Sequence, residues 1–88
     1  VKDYEQAFSW YQEAAKHGHG LAANNLAILY AMGQGVNRND ILAYAWFNVA
    51  VELGDVNAVR HRERVANELS ADQIIQAGKL SRTLLEKV

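Results

Sequence analysis

The chain has 88 residues, half of them apolar, with a formal net charge of −1 and neither cysteine nor proline. It can build one modest core but not two, and its near balance of charge excludes the net basic field that holds nucleic acid or an anionic membrane. Disulfides and thiolate metal clusters are excluded by the missing cysteines, and no run of about 18 apolar residues is present to span a membrane.

A first helix is predicted in DYEQAFSWYQEAAKHG, where Tyr4, Ala7, Phe8, Trp10, Tyr11, Ala14 and Ala15 recur at three- and four-residue spacing. Asp3 and Gln6 have capping-box spacing, and Gly18 can take the left-handed conformation that ends a helix. The second helix runs from about 20 to 32 with Leu21, Ala22, Leu26, Ala27, Leu29, Tyr30 and Met32, and ends at Gly33. After the turn GQGVNRN, a third helix opens at the N-cap residue Asn39, runs to about 53, and is apolar almost all round, which predicts the deepest burial in the chain. A fourth, about 55 to 69, is apolar at Ala58, Val59, Val65, Ala66 and Leu69, but RHRER at 60 to 64 breaks the stripe and predicts one face open to water. The last begins at Ser70, with Gln73 at capping-box spacing, and carries Ile74, Ala77, Gly78, Ser81, Leu84, Leu85 and Val88 on one arc to about Glu86.

Two of these helices repeat one another. AFSWYQEAAKHGH and AYAWFNVAVELGD align with Ala7 over Ala43, Trp10 over Trp46, Tyr11 over Phe47, Ala14 over Ala50 and Gly18 over Gly54, all 36 residues apart. Repetition at this period marks stacked helical hairpins, each burying its apolar face only when the next covers it. An all-α stack of antiparallel αα-hairpins is therefore predicted, with Trp10 and Trp46 both wedged in its core.

The stretch AANNLAILYAMGQGVNRNDILAYAWFNVAVELGD resembles the Sel1-like repeat, a relative of the tetratricopeptide repeat, in its Leu-Ala pair, its Tyr, its Gly-x-Gly-Val turn and its Ala-x-x-Trp-aromatic run ending in Gly. The resemblance implies a right-handed superhelical solenoid of about two and a half repeats. In it 1–18 would be the second helix of a truncated repeat, 19–54 a complete repeat, 55–69 a degenerate first helix, and 70–88 a capping helix like that of many bacterial members. Ala27 stands where glycine is usual and Arg62 where leucine is usual, which marks the fourth helix as the end of the array. The chain also opens inside a helical pattern, so a segment of a longer protein is expected, and localisation stays open between a bacterial cytoplasm and the cell envelope. The resemblance further implies a protein-interaction scaffold, with no cofactor and no catalytic residues.

The residues themselves offer little chemistry. GQGV lacks a preceding strand and a Gly-Lys-Ser/Thr, so its glycines serve a turn and not a phosphate. His17, His19 and His61 are the one metal-like set, but a glycine turn separates the first two and no His-Glu-x-x-His helix is present, so no metal site is assigned. No serine, histidine and aspartate recur as a nucleophile with its base.

In hairpins of this class the first helix of each repeat lines the concave side. A shift of 36 pairs Leu21 with Asn57, Asn24 with Arg60, Asn25 with His61, Ile28 with Arg64, and Ala31 with Asn67. The partner-binding strip is accordingly assigned to Asn24, Asn25, Ile28, Arg60, His61 and Arg64. Its two arginines, one turn apart, would hold a carboxylate of an acidic protein or peptide while the amides bond its backbone. Assembly is the rival reading: the stripe Tyr4, Phe8, Tyr11 and Ala15 on the helix at 3–17 is expected to face water and to pair copies into a homodimer or to pack on further repeats.

Overall fold

The computed structural model describes residues 3–88, so residues 1–2 of the expected first segment lie outside the described residues. Five helices follow one another: α1 (Tyr4–Lys16), α2 (Gly20–Met32), α3 (Asp40–Glu52), α4 (Ala58–Ala66) and α5 (Ala71–Glu86), with no strand among the described residues.

Their starts follow from side chains that satisfy unpaired backbone N–H groups. Asp3 Oδ1 accepts from the Gln6 N–H at 3.0 Å, and Asn39 Oδ1 from the Leu42 N–H at 3.0 Å. Ahead of α5 the capping box is complete: the Gln73 N–H donates to Ser70 Oγ at 3.2 Å and the Ser70 N–H to Gln73 Oε1 at 2.9 Å. Helix α4 is shorter than the expected 55–69. Asp55 Oδ1 takes the Asn57 N–H at 3.1 Å, which turns the chain before the helix begins, and Asn57 supplies no side-chain cap.

Between α2 and α3 the chain must reverse in a few residues. Gly33 (φ +66) closes α2 in the left-handed region. Gly35 (φ +75) is required for a second reason: a Cβ there would collide with the Tyr4 carbonyl and approach the Glu5 nitrogen to 2.8 Å. The turn therefore seats directly on the start of α1. Arg38 steadies its far side, with Nε and Nη2 donating to both carboxylate oxygens of Asp40 at 3.2 and 2.9 Å; this contact raises the arginine's pKa further.

One apolar cluster runs through the stack, including Ala15 of α1, Ala23, Leu26 and Ala27 of α2, Trp46, Phe47, Val49 and Ala50 of α3, and Ala58 and Val65 of α4. Helix α3 is its centre, packed on α2, α4 and α5, whereas α1 packs on α2. Deep burial is shared with α2, whose Ala22, Ala23, Leu26, Ala27 and Leu29 are also enclosed. Helix α5 rests on α3 through the small buried residues Ala77 and Ser81, and the Ser81 hydroxyl is satisfied by donating to the Gly78 carbonyl at 2.8 Å. Val88, expected on the same buried arc, is 41% exposed.

Two expectations for α1 are overturned. Trp46 is 6% exposed but Trp10, its repeat counterpart, is 68% exposed. The reason is the number of neighbours: α3 lies among three helices, while α1 has α2 on one side only among the described residues. Conversely, the stripe expected to face water is partly covered, with Tyr4, Phe8 and Tyr11 half-buried. Ala15 is fully buried, Phe8 and Tyr11 pack on the core, and Phe8 meets Tyr30 edge to face at 5.4 Å. The same burial raises the Tyr30 phenol above its ordinary pKa.

Trp46→Ala is expected to destabilise the fold by about 3–5 kcal/mol, and Trp10→Ala by about 0.5 kcal/mol or less. Urea denaturation of the two variants checks this contrast.

Candidate functional site

The predicted strip lies on α2 and α4, which meet side by side. Its six residues do not form one surface. Asn24 is 5% exposed, and its Oδ1 accepts from His61 Nδ1 at 3.1 Å, so the amide is committed inside the protein. Asn25 is half-buried and lines a different groove, beside Trp10, Tyr11 and Leu21 between α1 and α2. Adjacent helical residues point about 100° apart, so one of the two asparagines faces α4 and the other α1. The 36-residue register places His61 opposite Asn25, whereas packing joins it to Asn24.

What remains of the strip is coherent. His61 uses Nδ1 as donor, since the amide oxygen can only accept. Its ring leans on Phe47 with centroids 5.6 Å apart and planes at 45°. Together with Ile28, Ala31, Met32, Arg64 and Val65 these two rings enclose an open slot of about 190 Å3. The sequence reading missed Met32, Phe47 and Val65 as members of the slot, because three different helices contribute them. The one signal available was Met32, an apolar residue at the last position of α2.

Charge is unevenly placed around this slot. Between Ala58 and Ala66 three arginines face one glutamate, which leaves a local +2 on a chain of net −1. Glu63 lies 3.8 Å from Arg62. Arg62 itself turns toward α3, where Nη1 donates to Asn48 Oδ1 at 3.0 Å, and it is half-buried. Arg60 and Arg64 are exposed, and neither forms an ion pair with a carboxylate of the described residues.

Other candidate chemistry stays dispersed. His17 Nδ1 donates to the Glu13 carbonyl at 2.8 Å, His19 precedes α2, and His61 belongs to the slot. No group of three His, Cys, Asp or Glu converges among the described residues. The GQGV turn borders a wide hollow of about 720 Å3 whose other wall carries Asp3 and Glu5, carboxylates that repel a phosphate. No helix of the described residues is long and apolar enough to cross a membrane.

Repeated hairpins, a continuous core and a solvent-facing groove define a helical-repeat solenoid. The family model of the Sel1 repeat matches residues 1–19 and 20–55, and the chain belongs to that family. The crystal structure of c5321, a protective antigen of uropathogenic Escherichia coli strains with an SLR fold, superposes with a TM-score of 0.90 at 34% identity. The match covers 98% of this chain and 19% of that one, so this chain spans about a fifth of the relative's length. No curated protein matches it in sequence. Sel1 repeats generally serve as scaffolds for protein–protein interaction.

Asn24→Ala removes the acceptor that holds the His61 ring, and is expected to cost about 1–2 kcal/mol of stability. Chemical denaturation gives the loss; the His61 ring resonances in NMR report whether the ring is released.

Proposed function

We propose that this repeat domain docks an acidic segment of a partner protein on the surface shared by α2 and α4. One observation carries the reading: Arg60 and Arg64 stand exposed and without an internal carboxylate, on a locally basic helix beside an open slot. Guanidinium groups one turn apart offer parallel donors to a carboxylate, Ile28 and the His61 ring give facing walls of the slot, and Asn24 acts by positioning His61. Asn25, directed to the α1–α2 groove, drops out of the contact set. The double reversal Arg60→Glu/Arg64→Glu is expected to abolish capture of the partner in a pull-down while leaving the circular dichroism melt unchanged. Capture that survives the reversal defeats the reading.

A second reading is favoured by the other groove. Trp10 and Leu21, 68% and 65% exposed, sit together beside a hollow of about 360 Å3. An exposed tryptophan paired with a leucine is a packing surface for another helix, either from a second copy of the chain or from further repeats. This keeps a homodimer through residues 3–17 as an alternative, with Trp10 in place of the inward-facing Phe8 and Tyr11. Multi-angle light scattering is expected to show concentration-dependent self-association that Trp10→Ala removes; a monomer at every concentration counts against it.

A further inference from the structure

Between α2 and α4 the protein offers shape as well as charge. Ile28 and Ala31 form one wall of the slot, His61 and Val65 the other, and Phe47, 1% exposed, the floor. An apolar cavity of about 150 Å3 holds a benzene molecule, so a slot of about 190 Å3 accepts one side chain the size of leucine, methionine or phenylalanine and has no room for two. Two of its lining rings are held by the fold: Phe47 belongs to the core, and His61 is bonded to Asn24 and leans on the Phe47 ring. Arg64 belongs to its lining, immediately before Val65 on α4. The groove beside Trp10 has no arginine or lysine in its lining, so apolar shape and cationic charge come together on the α2–α4 side.

Resting on the docking reading above, we infer that the bound segment inserts a single leucine-sized side chain into this slot and places a carboxylate within a residue or two of it on Arg64, with Arg60 as the second cationic contact. A purely acidic segment would leave the apolar surface of Ile28, Ala31 and Met32 uncovered, and a purely apolar one would leave both arginines without a counter-charge. The partner is thus defined by an apolar residue adjoining an acidic group. That group is either an Asp or Glu side chain or a chain terminus.

Selection of random heptapeptides on phage against the 88-residue chain, followed by fluorescence anisotropy of the selected peptides with free and amidated C-termini, tests this. The expected consensus is Leu, Met or Phe beside Asp or Glu. Replacing that apolar residue by Gly is expected to weaken binding by on the order of tenfold to a hundredfold. Ala31→Leu, which fills the slot, and Arg64→Glu at an exposed position are each expected to weaken it about tenfold or more, with the helical spectrum retained. Loss on amidation assigns the carboxylate to a terminus, and retention assigns it to a side chain. Peptides that depend on Arg60 and Arg64 but are indifferent to Ala31→Leu and to loss of their apolar residue overturn the slot and leave the docking reading standing. No enrichment, or affinity unmoved by Arg60→Glu/Arg64→Glu, overturns both.

Discussion

No helix in this chain can cover its own apolar surface, so each one depends on the helices laid against it. The dependence is greatest at α3, which is apolar on nearly every side and is satisfied by α2, α4 and α5 together. The two tryptophans measure the effect. They occupy the same register of the same repeated helix, yet one is enclosed and the other lies open, because burial belongs to the number of neighbours and not to the residue.

The same stacking creates the groove. Because α4 lies beside α2 over α3, the Phe47 ring of α3 becomes the floor of an opening whose walls come from the other two helices. Small residues keep that opening from filling: Ala31 on α2 leaves space that a longer side chain would take. The polar groups nearby divide into two kinds. Asn24, His61 and Asn48 are engaged within the fold, where an unpaired polar group would carry a desolvation cost. Arg60 and Arg64 remain in water, where the fold asks nothing of them.

Arg62 shows how one charged helix serves both purposes. With its guanidinium on Asn48 and near Glu63, it ties α4 to α3 and draws off the only carboxylate of the helix. Its neighbours two residues to either side are thereby left unneutralised on the opposite flank. A scaffold of this family acts through its surface, and here an open apolar slot lies beside exposed arginines of α4.

The sequence by itself determined the helices and their order. Gly18 and Gly33 and the caps at Asp3, Asn39 and Ser70 act within a few residues, and the 36-residue repeat required hairpins to stack. It also exposed the basic break in α4, since an arginine pair on an otherwise apolar stripe is visible in one dimension. Only the tertiary structure decided that Trp10 faces out, that Tyr11 faces in, and that His61 bonds Asn24 in place of Asn25. Those outcomes depend on how far each helix is rotated about its axis against its neighbours. A rotation by one residue, about 100° in a helix, brings a different set of side chains onto the buried face while leaving the periodic pattern unchanged.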